Sequence, residues 1–409
     1  MIKIAHVNAV YGKSSTGLIL KDIHTLCLSD GFDSVVCASI GEAHIRIGNR
    51  LEGTLHAILT RLLGLQGFGS YFSTLCFIRR LRKFRPDIIH LHNIHNNCLY
   101  LPIFFNYIKS NQIPIVLTLH DSWFFTGKCY HFLDIGCEKW KTLCHQCPKR
   151  YEEIPSYMAD MSSYVFKKKQ QLFDYYKLFT VGCSKWITSC AKESPILRTS
   201  NFYQIYNGVD TKIFNPEGPR YQKLLHSDEF TIMVMANKWF SASNKELVSE
   251  LIRVLPQLGN LLIIGCTNKQ KSLYQGNGNI QCLGFIHDRE QLAALYRSSD
   301  VFLNVTQVDT LPTVNMEAAC CGTPVVTYDS GGSGELVVNG NTGYVVQKNN
   351  ISEIICSLFK VKEGHICRKV CSDWALSEFD RNITYQRYIH LYRDIKKYSI
   401  CSHIRKSVL

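Results

Sequence analysis

No run of about 20 apolar residues occurs in the chain, so no segment reads as a membrane-spanning helix. Internal repeats and low-complexity stretches are also missing, which excludes a solenoid or repeat array. Charged residues make up 19% of the 409 residues and hydrophobic residues 46%, a balance that excludes disorder and suits globular domains. The opening Met1-Ile2-Lys3-Ile4-Ala5-His6-Val7-Asn8 lacks a basic region followed by an apolar core and reads as a buried strand. The expectation is therefore a cytoplasmic protein with reduced thiols. On that reading the Asn304-Val305-Thr306 and Asn382-Ile383-Thr384 sequons have no role. There is no arginine-rich tail and no nucleic-acid-binding motif, although the formal net charge is +13. The remaining readings are an anionic partner, such as nucleotide phosphates or an acidic membrane face, or simply a basic surface. Cysteine is not scarce. Most of the 18 stand singly in apolar segments, as do Cys27, Cys37, Cys76, Cys266 and Cys282, where they pack as small hydrophobes.

Short β-rich runs alternate with helical stretches almost throughout, which predicts an α/β fold with parallel sheets covered on both faces. In the first half the strands are expected at 3–7, 34–37, 88–91, 115–119, 178–183 and 202–205, with helices at 17–29 and 70–84. A turn at Asn207-Gly208-Val209-Asp210 and a linker at Phe214-Asn215-Pro216-Glu217-Gly218 precede a second series. Its strands are expected at 230–236, 260–265, 280–283, 301–305, 323–328 and 343–346. The expected domains are 1–214, with a cysteine-rich insert at 129–147, then 215–379, and a helical region 380–409 packing back toward the first domain. Two doubly wound domains would face a central cleft, with ligands beyond the carboxyl ends of the strands.

The stretch Val308-Asp309-Thr310-Leu311-Pro312-Thr313-Val314-Asn315-Met316-Glu317 carries two acids eight positions apart, one in a loop after a strand and one on the following helix. A glycine turn, Gly331-Gly332-Ser333-Gly334-Glu335, follows the next strand. Carboxylates accept hydrogen bonds from sugar hydroxyls. Helix N-termini and glycine N–H groups accept phosphate.

With these pieces stand Asn237-Lys238-Trp239, Asn244-Lys245-Glu246, a strand ending in Gly265, Leu283-Gly284-Phe285, and Leu295-Tyr296-Arg297-Ser298-Ser299-Asp300. Their order and spacing resemble the retaining, nucleotide-sugar-dependent glycosyltransferases of family 4, in the exopolysaccharide or colanic-acid branch, with the two-domain GT-B architecture. The resemblance implies that Glu317 accepts the donor ribose hydroxyls and that Asp309 lies near the transferred sugar, in the family's Glu-x7-Glu pattern. Here the first acid is one methylene shorter, and Val308 stands where that branch has another acid. Lys245 matches the family's lysine for the leaving diphosphate, but Phe240 occupies the usual arginine position and Glu246 that of a glycine; Lys238 is the nearest substitute. Thr310, Leu311, Pro312, Thr313 and Gly332 would line the donor, through backbone N–H groups where they have one. Glu335 would orient the sugar or the loop.

The first domain would hold the acceptor. Gly12, Ser14, Ser15, Thr16 and Gly17 form a small-residue loop before a helix, resembling the family's glycine loop that faces diphosphate and acceptor. It is not a Walker motif, because the upstream glycine is missing. Leu119-His120-Asp121 matches a histidine–aspartate placement in the family, with His120 near the reaction centre and Asp121 positioning acceptor or His120. His90, His92 and His95 alternate near a strand end, as pocket, core or rim residues. Cys129, Cys137, Cys144 and Cys147 fall within 19 residues, leaving open a structural zinc site, free thiols or disulfides. Basic and apolar residues mix over 62–68 and 76–85, which fits either an anionic membrane surface or an ordinary packed helix.

The expected function is transfer of a hexose from a UDP- or GDP-sugar to a lipid-linked or oligosaccharide acceptor in surface polysaccharide assembly. The anomeric configuration would be retained and no catalytic metal or cofactor would be required. The alternatives are a soluble sugar-phosphate or glucan synthase on the same fold, and a non-catalytic nucleotide-sugar-binding protein.

Overall fold

A computed structural model describes residues 1–221 and 228–406, with side chains through Lys397. The chain divides into two compact units: Met1–Tyr206 together with the segment from Thr384 onward, and Asn207–Ile383. The break falls at 206, ahead of the expected 214. The residues expected to form a linker are instead clamped within the second unit. Arg297, 4% exposed, donates to the carbonyls of Ile213 (2.8 Å), Asn215 (2.9 Å) and Pro219 (3.2 Å).

The first unit holds β1 (Lys3–Val10), β2 (Asp33–Ile40), β3 (Ile45–Arg46), β4 (Ile88–Leu91), β5 (Ile115–Leu119), β6 (Leu178–Gly182) and β7 (Asn201–Gln204). They form one parallel sheet in the order β3-β2-β1-β4-β5-β6-β7. The chain order reverses between β1 and β4, the switch point where ligands of such sheets bind. The long C-terminal helix Arg381–Lys406 joins this unit's core. Its Tyr385, Tyr388, Ile389, Tyr392 and Ile395 pack against Ile4, Ile23 and Val116.

The second unit repeats the plan with β8 (Thr231–Met235), β9 (Asn260–Ile264), β10 (Ile280–Leu283), β11 (Val301–Asn304), β12 (Val325–Tyr328) and β13 (Gly343–Val346). The order is β10-β9-β8-β11-β12-β13, again all parallel, with its switch point between β8 and β11. The helix Lys245–Leu258 buries Leu247, Leu251, Leu255 and Leu258, a 3.6-residue stripe that seats it on the sheet.

The helix Arg50–Leu63 runs against its own hydrophobic pattern. Its buried residues are His56 and Thr60. His56 Nε2 accepts from the N–H groups of Gly67 and Gly69 (both 3.1 Å), and Thr60 Oγ1 donates to Asn97 Oδ1 (2.7 Å). Leu51 (73% exposed), Leu55, Ile58 and Leu62 face outward along one stripe. The neighbouring helix Tyr71–Phe84 buries Phe77, Ile78 and Leu81 and leaves Arg79, Arg80, Arg82 and Lys83 exposed. Among the described residues no helix is long and apolar enough to cross a membrane.

Candidate functional site

In the second unit the expected residues gather at the switch point. Asn244 sits just before the helix that begins at Lys245, yet its side chain does not cap that helix. Its Nδ2 donates to Lys238 O and Val305 O (both 2.9 Å), and its Oδ1 accepts from Gln307 Nε2 (2.9 Å). One buried amide thus ties the segment after β8, which runs past Lys238 to the start of the helix at Lys245, to the loop after β11, which leads to Asp309. Lys245 is exposed and Lys238 partly so.

The Asp309 loop is held by the glycine turn. Gly332 N–H donates to Asp309 O (3.1 Å). At Gly331, with φ +60°, an added Cβ would lie 2.0 Å from Asp309 O, so only glycine allows this approach. Asp309 Oδ1 accepts from Leu311 N–H (3.2 Å), which engages that N–H locally. Pro312 then opens the helix Thr313–Cys320, whose N-terminus carries no side-chain cap. The hydroxyls of Thr310 and Ser333 are buried without a hydrogen-bond partner among the described residues, as is Asn315 Nδ2. Hydrogen-bonding capacity of this kind is rarely left unmet in a core.

Glu317 lies one turn into that helix, with an edge still partly exposed. Burial of its carboxyl pushes the pKa up to about 7, against the pull of the Arg289 guanidinium. Arg289 gives no signal in the sequence, where it reads as a solvated first-turn residue. Glu335 sits partly exposed in the 3-10 turn Gly334–Leu336. A cavity of about 760 Å³ lined by Arg220, Arg297, Arg368 and Lys369 adjoins Cys321 and Gly322, at the far end of the Glu317 helix from Asp309.

In the first unit the expected residues follow β1, β4 and β5. Gly12 N–H donates to Gly17 O (3.2 Å), closing the loop, and a Cβ on Gly17 would stand 3.1 Å from Val10 O. Ser14, at φ +59°, begins the helix Ser14–Ser29, which has no side-chain cap at Lys13. Thr16 is partly exposed, whereas Gly12 and Ser15 are open to solvent. After β5, Asp121 is 7% exposed; its Oδ2 pairs with His95 Nε2 (2.8 Å), and its Oδ1 accepts from Trp123 N–H (2.9 Å). Burial alone would raise the Asp121 pKa, but His95 and these hydrogen bonds outweigh it and hold the carboxyl below its usual value.

His120 meets His92. His92 Nδ1 and His120 Nε2 are 3.1 Å apart, and the rings lie 15° from parallel. Burial pushes the His120 pKa down to about 4, partly offset by Asp121, and drives His92 well below the usual range. Both rings are therefore neutral at pH 7, and one N–H lies between them. His92 is wholly buried and its Nε2 has no partner among the described residues. An orphaned N–H is rarer than an orphaned acceptor, so the proton belongs on His92 Nδ1. His120 then accepts at Nε2 and carries its own proton on Nδ1, which makes it a hydrogen-bond donor to whatever approaches.

His90 is a core residue, bonded to Tyr392 Oη (2.6 Å) and Thr118 Oγ1 (2.7 Å). Among the described residues, His6, His90 and His92 are the one set of three metal-ligand atoms within 4.8 Å of one another. Both ring nitrogens of His90 are already engaged with Tyr392 and Thr118 and all three rings are buried, so the set reads as a ladder of packed core rings.

Comparisons with known proteins bear on the fold and on the kind of relative. Residues 222–374 match the family described as "Glycosyl transferases group 1". WcaC of Escherichia coli, described provisionally as a colanic acid biosynthesis glycosyl transferase, is 25% identical over 317 residues, covering 75% of each chain. Among solved structures, sucrose-phosphate synthase from Thermosynechococcus elongatus superposes with a TM-score of 0.68 at 15% identity, covering 97% of this chain and 99% of that one. HepE from Anabaena, in complex with UDP, gives a TM-score of 0.65 at 15% identity, covering 96% and 100%. The chain has the GT-B fold. It is related to several sugar transferases of surface polysaccharide assembly.

Proposed function

We propose that the chain is a retaining glycosyltransferase of family 4 that moves a hexose from a UDP- or GDP-sugar to a lipid-linked or oligosaccharide acceptor in exopolysaccharide, capsule or O-antigen assembly. One observation carries the reading. At the switch point of the second sheet, Glu317 and Asp309 flank an uncapped helix N-terminus beside the buried hydroxyls of Thr310 and Ser333, which have no partner among the described residues. A nucleotide sugar supplies hydroxyls for the carboxylates and Thr310, and a diphosphate for helix N–H groups and lysines. The UDP held by HepE favours a uridine nucleotide as the first to try.

In the proposed chemistry the bond from the anomeric carbon to the leaving phosphate oxygen breaks while the acceptor oxygen bonds to the same face. The acceptor proton passes to the departing phosphate oxygen. Lys245 and Lys238 offset the developing charge, Glu317 holds the ribose, and His120 Nδ1–H donates to the transferred sugar. Asp121 and His95 orient the acceptor. No protein nucleophile and no metal takes part.

A membrane-borne acceptor fits the exposed Leu51-Leu55-Ile58-Leu62 stripe beside the basic helix Tyr71–Phe84. An apolar face rimmed by cations suits an anionic lipid surface. The test is incubation with UDP- and GDP-hexoses and a lipid-diphosphate-sugar acceptor, with the product's anomeric configuration read by NMR. Retention is expected; an inverted product, or no transfer from any nucleotide sugar, rejects the proposal.

A further inference from the structure

Between β5 and the helix Ser162–Phe173 the chain runs through a long insert whose regular structure is limited to the 3-10 turns Trp123–Phe125 and Lys139–Lys141. A loop of this length in a compact unit calls for something that fastens it. Its four cysteines, Cys129, Cys137, Cys144 and Cys147, line one small cavity of about 20 Å³, room for a single ion or water. All four thiols are free. Cys144 Sγ accepts from Gly127 N–H (3.2 Å). A Cβ on Gly127 would stand 2.8 Å from Cys144 Cβ, so glycine lets the backbone reach the sulfur.

The second observation is charge. Lys128 is 3% exposed and Lys169 0%. Lys128 Nζ donates to Arg150 O (3.0 Å) and Ser156 Oγ (3.3 Å); Lys169 Nζ donates to Trp123 O (2.6 Å) and Thr126 O (3.2 Å). Every one of these acceptors is neutral. Among the described residues neither ammonium reaches a carboxylate within 4.0 Å. The ionisable groups that face Lys169 are Cys144 first, then Asp121 and Cys129; those that face Lys128 are Cys147 and Cys129, then Asp160 and Glu153. Buried cations without a counter-charge are strongly disfavoured.

We propose that Cys129, Cys137, Cys144 and Cys147 bind one zinc ion as a tetrathiolate, with Lys128 and Lys169 as its buried counter-charges. Four thiols release four protons and bind Zn²⁺, giving a centre of net charge −2 against two ammonium groups. A Zn–S bond of about 2.3 Å sets the sulfurs about 3.8 Å apart. No three of them lie within 4.8 Å of one another without the ion, so loading contracts the loop around a Cys129–Cys147 pair already within hydrogen-bonding reach. The ion fastens the insert and takes no part in sugar transfer.

The test is zinc content of the full chain, saturated with zinc and then gel-filtered, by mass spectrometry. The expected content is about one zinc per chain, with thiolate-to-cobalt charge-transfer absorption when cobalt replaces it. Cys144→Ser should fall below about a tenth of a zinc, while Cys76→Ser, on an exposed site elsewhere, keeps the ion. Lys169→Met should weaken zinc affinity about 10–100-fold. If Cys144→Ser fails to fold, the cobalt spectrum of the parent decides. A zinc-free chain with four freely titrating thiols, or a disulfide between any two of these cysteines, overturns the proposal. Neither result bears on glycosyl transfer.

Discussion

β1 and β8 hold the same place in their sheets, yet they bury different chemistry. β1 places His6 and Asn8 in the core, and its register partner on β4 is His90. The middles of β8 and β11 bury the apolar Ile232, Val234, Val301 and Leu303, with buried Thr231 and Asn304 at their ends. Along β8, β9 and β11 the buried polar residues of the second unit sit at strand ends, Thr231 and Asn260 at amino ends and Asn304 at a carboxyl end, around an apolar middle. The first carries a polar ladder through its centre, from Tyr392 by way of His90 and His92 to His120. A parallel sheet thus tolerates buried imidazoles when each is neutral and mostly hydrogen-bonded.

The largest expected effect is an opposite response to pH. Burial holds His6 at about 3 and His120 at about 4, with His90 and His92 well below the usual range. The unfolded chain binds these protons near pH 6.5, so the first unit loses stability as pH falls below 6.5, by on the order of a few kcal/mol per fully buried imidazole near pH 4. Glu317 acts in the other direction. Its folded pKa is raised to about 7, so the second unit loses stability as pH rises from about 4.5 to 7. Hydrogen exchange by segment, corrected for intrinsic rates, should show residues 86–95 losing protection on acidification while 301–305 do not. Equal loss in both units would erase the contrast. Glu317→Gln should remove the slope in the second unit.

Next in size is Gly331→Ala. A left-handed backbone and a contact with Asp309 O predict about 2–4 kcal/mol of destabilisation, read by denaturant unfolding, together with weaker nucleotide-sugar binding. Unchanged stability would show that the turn is not held against the Asp309 loop. His92→Leu sharpens the role of the ladder. Loss of one hydrogen bond of about 1.4 kcal/mol frees the His120 tautomer and should lower kcat about tenfold, with donor KM little changed. A parental kcat would reduce the ladder to packing. Smallest is the double change Leu51→Asp with Leu55→Asp, expected to release the protein from anionic vesicles several-fold without altering donor hydrolysis. Equal sedimentation would discount the outward stripe.

What could be read in advance follows the same division. In the second unit an apolar scaffold with polar strand ends gives sharp contrast in the chain. The strands stand out as apolar runs, and Asp309, Glu317 and the glycine turn interrupt them. In the first unit polar residues face inward, so pattern misleads. The helix Arg50–Leu63 is invisible to a search for buried leucines because it buries His56 and Thr60, and its neighbour 62–68 drew the membrane reading instead. His90, His92 and His95 look alike as alternating histidines, but one is core, one fixes His120 and one pairs with Asp121. Asn244 looks like a helix cap and instead joins two loops, a contact set by sheet order. Arg289 carries no local signal because its effect on Glu317 comes from an element distant in the chain.

The proposed grip of the second unit on an activated sugar depends first on Glu317. Initial rates of transfer at limiting donor, compared for the parent and Glu317→Ala, test it most directly. A fall in kcat/KM of about 100-fold or more, on the order of 3 kcal/mol, is expected. A variant that transfers sugar as fast as the parent at the same donor concentration would contradict it.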